Sequence, residues 1–309
     1  YLFTVINTGL HDKVDTVSTV IDVATCDFKE LHPTEGYKKM AALTLPSYRV
    51  EDLEGHAVEA KIEDLGANFE YDLPKDKFRQ ARIARQVRVT VPVHLAPLSW
   101  TTFQLLEGEQ EHRDGIYQNG VIDTPFVTVS VDENITVYDK TTHEAYEDVI
   151  RFEDRGDIGN EYIYFQPKGT EPIYAELKGC EVLENTARFA KILLKHELTI
   201  PVSADEKLDA EQRGIIEFMT REAGRSDEWT SILLETEMTV FVDNPQIRFK
   251  TRFTNTAKDH RIRLLVKTHN TSPSNDSESI YEVVTRPNKP AASWENPENP
   301  QHQQAFVSL

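Results

Sequence analysis

Cysteine is nearly absent: Cys26 and Cys180 are the only two in 309 residues. A secreted chain of this length would not depend on one bridge, so both are expected as reduced, partly buried thiols in a cytoplasmic protein. Long hydrophobic runs are missing too. Apolar runs such as Ile192-Leu193-Leu194 are far short of the roughly 20 residues a membrane helix needs, so no membrane partner is expected. Basic charge is scarce, with 34 Lys and Arg against 52 Asp and Glu and a net charge of −18. Such a surface repels phosphate backbones and argues against nucleic acid. The start, YLFTVINTGLHDKVD, has no basic n-region, no continuous apolar core and no initiator Met. It does not read as a signal peptide, and it predicts a piece of a longer polypeptide.

Local catalytic and cofactor motifs are lacking as well. The ten histidines form no H-x-H, H-x-x-x-H or H-E-x-x-H, and His196-Glu197 is followed by no second histidine. No metal held wholly by this chain is expected. The sequence has no G-x-S-x-G, no P-loop and no G-x-G-x-x-G, which leaves serine hydrolysis, nucleotide hydrolysis and dinucleotide binding without local support. No βαβ rhythm and no fixed-period repeat occurs.

What is present is a period of two. Val87, Val89, Val91, Val93 and Leu95 alternate with polar residues, which places one strand face on a core and the other in water. Pro92 removes a ladder donor and predicts an edge or a bulge. Residues 127–131 and 135–138 alternate around Asp132-Glu133-Asn134, a hairpin by pattern. Leu234, Thr236, Met238, Val240 and Val242 share a face, and Asp243-Asn244-Pro245-Gln246 reads as a turn. Ile247, Phe249, Thr251 and Phe253 return, and residues 261–267 add a third strand, which predicts a meander. Residues 185–195 fit a short helix or a strand about equally, with Phe189, Ile192 and Leu193 on one helical face. The class is all-β, built of antiparallel sandwiches. A polar stretch at 107–120 predicts a small sandwich over 1–107 and a larger one over 108–309, and 286–300 is expected as an extended Pro/Asn-rich loop.

Most of the 52 acids read as solvated surface. Residues 151–169, RFEDRGDIGNEYIYFQPKG, stand apart, with acids, two glycines and aromatics between strand-like stretches. Asp157, Asn160, Glu161 and Tyr162 project polar groups from a loop. Carboxylates and amides can pair with vicinal hydroxyls while an aromatic ring covers a sugar's apolar face. The alternative is a glycine-bearing hairpin loop whose Tyr162 packs in the core.

Four motifs in order resemble glycoside hydrolase family 38, the retaining α-mannosidases. FTVINTGLHDKVDTVSTVID resembles its opening strand and LAPLSWTTFQL its small-domain ending. Residues 124–167 resemble its strand, its turn (Asp139-Lys140 and Tyr146) and its G-D-x-x-x-x-E-Y segment (Asp157, Glu161, Tyr162). FTNTAKDHRIRLLVKT resembles its N-x-x-x-D-H-R-L-R-V strand through Asn255, Asp259, His260, Arg261 and Arg263. Trp100, Ser99 and Lys13 depart from the pattern.

The resemblance implies a small sandwich followed by a larger galactose-mutarotase-like supersandwich, truncated at its C-terminus, and no catalytic residue here. An α/β barrel preceding Tyr1 would carry zinc or another divalent metal and two catalytic Asp residues, which retention sets about 5–5.5 Å apart. This region would pack on that barrel, its partner, and lend a loop to a mannose-containing saccharide. Tyr162 would bond a sugar hydroxyl, with Asp157 or Glu161 positioning it. Arg286 would face the same cleft or serve as a surface ion pair. Two other readings stand beside this one, a free carbohydrate-binding module and a sugar 1-epimerase, and a homodimer stays open.

Overall fold

A computed structural model describes residues 1–111, 113–160, 162–289 and 305–308. The chain is all-β and falls into two compact units: residues 1–118 with 184–191 and 239–247, and residues 119–183, 192–238 and 248–309.

In chain order the first stretch holds β1 (Leu2–Ile6), β2 (Lys13–Asp27), α1 (Pro33–Ala41), β3 (Tyr48–Asp52), β4 (Ala57–Val58), β5 (Lys61–Asp72), β6 (Gln80–Leu95), β7 (Trp100–Glu107) and β8 (Tyr117–Gln118). The order β1-β7-β3-β4 makes one sheet and β2-β6-β5 a second. The expected alternation holds: Val87, Val89, Val91, Val93 and Leu95 are buried with Val50, Phe103 and Leu105 in one core cluster. Burying each such side chain is worth about 1.5–3 kcal/mol, which is what fixes the register of β6. Pairing of β5 begins at Lys61 opposite Thr90, so at Pro92 only β2 lies alongside, opposite Thr16. Pro92 therefore sits at a local edge, as its missing donor requires. The β5–β6 register shifts between Asp64 and Gly66, and Gly66 supplies the left-handed φ of +78° at that bulge.

The rest holds β9 (Val121–Asp123), β10 (Val127–Val131), β11 (Ile135–Asp139), β12 (Glu144–Tyr146), β13 (Ile150–Gly156), β14 (Ile173–Tyr174), β15 (Glu176–Asn185), β16 (Phe189–Pro201), α2 (Lys207–Arg213), β17 (Trp229–Phe241), β18 (Asn244–Arg252), β19 (His260–Val266), β20 (Ser274–Ser279), β21 (Glu282–Pro287) and β22 (Val307–Ser308). The β10–β11 hairpin forms as read, with Val131 opposite Ile135. A core of Phe152, Leu198, Ile200, Ile232, Leu234 and Ala257 lies behind β13, β16 and β17.

Several expectations are corrected. Of the two readings left open for 185–195, the strand holds, as residues 189–201: Ile192, Leu194, His196, Leu198 and Ile200 all point inward and Leu193 does not. The turn after β17 is tighter than expected, since β18 already starts at Asn244. The three-strand meander does not form. Strand β19 leaves the β17–β18 hairpin and pairs with β13, from Ile150 opposite Val266 to Gly156 opposite His260. Arg286 lies in β21 rather than at the mouth of a loop, and 290–300 of the expected loop lies outside the described residues. Cys26 is buried and Cys180 exposed, both as free thiols, rather than both partly buried. Helix α1 was not foreseen, although Pro33 at its start, Glu35 early and Lys38 and Lys39 late are the usual signals. It covers Cys26 and Ile83 with Met40.

Candidate functional site

The site candidate is the connection between β13 and β14, residues 157–172, anchored by two adjacent buried acids. Glu153 and Asp154 are 2% and 0% exposed. Side chains alternate along a strand, so the two point to opposite faces of the sheet. On one face Glu153 accepts from Arg155 Nε at 2.9 Å, from Tyr174 Oη at 3.2 Å and from Arg263. Burial pushes its carboxyl up, but hydrogen bonds and charge from Arg263 and Arg155 outweigh this and hold it below the usual carboxylate range. Arg151 lies over the Tyr174 ring at 3.9 Å, and Arg261 lies over Tyr164 at 3.5 Å. On the other face Asp154 forms an ion pair with Arg225 and faces His260 Nδ1 at 2.6 Å, while His260 Nε2 faces Asn255 Oδ1 at 3.0 Å.

The loop is organised by backbone bonds. Asp157 Oδ1 accepts from the amides of Gly159 at 2.9 Å and Phe165 at 3.0 Å. Asn160 Oδ1 accepts from the amides of Tyr162 and Ile163, both at 2.9 Å. The Ile158 amide donates to Phe165 O at 2.7 Å and the Asn160 amide to Ile163 O at 3.0 Å. Gly159 is obligatory, because a Cβ there would stand 1.8 Å from Ile163 O. Behind the loop, Arg221 is 7% exposed and donates from Nη1 to the carbonyls of Ile158 and Gly159, and from Nε to Ile216 O at 3.1 Å. Ile158 packs with Ala204, Leu208 and Ala223, and Phe165 lies against them. The Asp157 amide donates to Asp259 O at 2.8 Å, and Asp259 Oδ2 accepts from the Ala204 amide at 3.2 Å.

Tyr162 projects from this frame, 87% exposed. The core-packed alternative for Tyr162 is therefore excluded. Asp157 sits behind the loop with Oδ1 turned to backbone amides. Glu161 lies outside the described residues. Arg286 stands on β21, opposite Asn275 of β20, in the three-stranded sheet β21-β20-β22. The residues that hold the loop, Arg221, Arg225 and the Asn255, Asp259, His260, Arg261 and Arg263 set, were not read as site residues. The second group was visible only as a motif, and its role appears once β19 is paired to β13.

Among the described residues one group of three potential metal ligands converges, Asp52, Glu54 and His56 in the β3–β4 turn. Asp52 Oδ1 already accepts from the amides of Glu54 and His56, and Oδ2 meets His56 Nδ1 at 2.8 Å. Backbone bonds at 3.0 and 2.8 Å hold Asp52 below the ordinary Asp range, and its carboxylate in turn raises His56. This is a self-satisfied turn and does not fit a zinc centre.

Residues 1–107 match the family described as Glycosyl hydrolases family 38 C-terminal domain 1. Over 284 residues the chain is 32% identical to a putative mannosylglycerate hydrolase of Halalkalibacterium halodurans, covering 88% of this chain and 32% of that protein. The crystal structure of an α-mannosidase from Enterococcus faecalis V583 superposes on 99% of this chain with a TM-score of 0.90 and 36% identity, and 36% of that chain is covered. A second Enterococcus faecalis structure, of a protein in glycosyl hydrolase family 38, gives 0.87 and 32% over 99% of this chain and 36% of its own. The chain thus spans about a third of the length of the relatives it matches.

Proposed function

The chain corresponds to the C-terminal β-sandwich region of glycosyl hydrolase family 38, and on that premise we propose that it is the non-catalytic part of a retaining α-mannosidase. It packs on an N-terminal catalytic barrel and lends the loop 157–165 to the sugar site. Zinc or another divalent metal would be held by that barrel and supply its grip on sugar hydroxyls. The two free thiols favour a cytoplasmic setting.

The observation that carries the reading is Tyr162: an aromatic ring with a hydroxyl, displayed to solvent on a loop whose backbone is tied from both sides. Such a residue does little for the fold and is suited to cover a pyranose face while bonding one of its hydroxyls. The non-catalytic assignment rests on the buried acids. Glu153 and Asp154 face opposite sides of one strand, so they do not flank a single glycosidic bond, and both are neutralised by arginine. A general acid needs a raised pKa, and Glu153 is lowered.

The test is kinetic. The isolated chain is expected to leave p-nitrophenyl α-mannoside intact with or without zinc. In the polypeptide that joins it to the barrel, Tyr162→Phe should lower kcat/KM about 10-fold, the worth of one hydrogen bond to substrate. Turnover by the isolated chain refutes the non-catalytic assignment, and an unchanged kcat/KM refutes the role of Tyr162. Millimolar or tighter binding of mannose by the isolated chain, seen by calorimetry, would favour a free binding module.

A further inference from the structure

One short stretch, residues 221–225, meets the loop that follows β13 along its length. Its side chains alternate: Arg221 and Ala223 are buried and the Arg225 side chain is 8% exposed, while Glu222 between them faces out. Arg221 donates from Nη1 to the carbonyls of Ile158 and Gly159, and Ala223 shares a buried cluster with Ile158. Glu222 pairs with Lys168 at 2.6 Å. Arg225 passes Gly156, where a Cβ would stand 3.0 Å from its Cδ, and ends on Asp154. The stretch is itself fixed from behind. Glu211 of α2 accepts from the amides of Glu222 at 2.7 Å and Ala223 at 3.3 Å, and Asp205 Oδ2 accepts from the Gly224 amide at 3.0 Å.

Within this stretch Arg221 stands nearest to Tyr162 along the bonds. Its three acceptors, the oxygens of Ile158, Gly159 and Ile216, are all backbone, so it fixes the path of the chain. A guanidinium suits that task, because its donors lie in one rigid plane. One residue beyond Gly159, Asn160 Oδ1 accepts from the Tyr162 amide at 2.9 Å. The Tyr162 side chain is 87% exposed and gains little packing of its own, so its place is set through its backbone. Resting on the reading of Tyr162 as the residue that meets the sugar, we infer that Arg221 is a positioning residue of the sugar site. It touches no substrate; it sets where the Tyr162 ring stands by gripping the carbonyls beneath it. The rest of the 221–225 stretch, with Glu211 behind it, is the footing for that grip. Recognition by one ring face and one hydroxyl is sensitive to such placement, because a shift of about 1 Å takes a hydrogen bond out of range.

The experiment is a double-mutant cycle on p-nitrophenyl α-mannoside, in the polypeptide that joins this chain to the barrel. Arg221→Met keeps an unbranched stem and removes the donors. It should lower kcat/KM about tenfold, as the loss of one well-placed substrate bond does. In the Tyr162→Ala background the same change should cost less than about twofold, because the residue it acts through is gone. A merely structural role leaves the two losses independent, so that they multiply. Arg221→Lys keeps a donor for Ile158 and Gly159 and gives up the arm to Ile216. It should lose about threefold alone and show the same coupling to Tyr162→Ala. A loss above about twofold from Arg221→Met in the Tyr162→Ala background overturns the inference, and so does no loss from Arg221→Met where Tyr162→Ala itself is impaired. Failure of both Arg221 variants to fold overturns it too, since Arg221 would then serve folding alone. The premise is read separately: if Tyr162→Ala leaves kcat/KM unchanged, the sugar-loop reading is what fails.

Discussion

Gly159→Ala tests whether the site loop is built as described. The new Cβ would stand 1.8 Å from Ile163 O and 2.9 Å from both Ile163 C and Phe165 N, all backbone atoms. No rotamer relieves a backbone clash, so the strand returning through Ile163 and Phe165 must retreat by about 1 Å or more to reach van der Waals distance. Three bonds cross this gap: Asn160 N to Ile163 O, Ile158 N to Phe165 O, and Phe165 N to Asp157 Oδ1. At a net worth of about 0.5–1.5 kcal/mol each, their loss costs about 2–4 kcal/mol locally. The core of Phe152, Leu198, Ile200, Ile232 and Leu234 does not touch this loop in forming its cluster, so the loop opens while the unit stays folded. Hydrogen exchange is the assay. At about 1.4 kcal/mol per tenfold, the amides of Ile158, Asn160 and Phe165 should exchange about 30- to 700-fold faster, while those of β13 and β19 keep their rates. Gly179→Ala is the control, since a Cβ there meets nothing within 4 Å. Native exchange rates in Gly159→Ala would refute the close approach and the construction of the loop argued from it.

Two further perturbations probe the supports of the site. Arg225→Met strands the carboxylate of Asp154, 0% exposed, with only His260 beside it; breaking one side of a buried pair should cost about 3–5 kcal/mol in urea unfolding, and a loss below 1 kcal/mol would show that the pair is solvated. His196 is 5% exposed, its Nδ1 has no hydrogen-bond partner and its ring meets Phe152 edge-on at 5.1 Å; burial lowers its pKa from the ordinary 6.5, against a weaker opposing effect of Asp148. Its unfolded form then binds the proton first, so stability should fall as pH drops below about 6.5 and level off once the folded pKa is passed, and His196→Leu should flatten that slope in urea unfolding at pH 7.5 and 5.5.

The strands were legible because burial on one face imposes a period of two, and Val87 to Leu95 carries it without a break. Pro92 was legible for the same local reason, since a missing N–H constrains its own neighbourhood alone. Pairing was not. Nothing within residues 260–266 says whether the strand continues a hairpin or crosses to β13, because the sequence separation from Arg263 to Glu153 is not a local quantity. The helix-or-strand ambiguity at 185–195 had a similar cause: Phe189, Ile192 and Leu193 fit a helical face, and only the longer run through Ile200 makes the strand period decisive. In the candidate loop, composition singled out Tyr162 and Asp157 alike, and the structure sets them apart, Tyr162 facing solvent and Asp157 facing amides. Asp157 turned inward to hold amides, which a hydrogen-bonding inventory cannot tell from turning outward to hold a sugar.

The site therefore stands out physically as the place where local rules are broken together. Two adjacent carboxylates are buried, a glycine is required because backbone meets backbone, and an arginine is buried on carbonyls. Each carries a cost in isolation. All three are compensated inside the chain: Glu153 and Asp154 by Arg155, Arg263 and Arg225, Gly159 by the bonds it permits, and Arg221 by the carbonyls it satisfies. Tyr162 is what this frame displays, 87% exposed on a loop satisfied from behind, and a side chain held outside a compensated frame does little for folding.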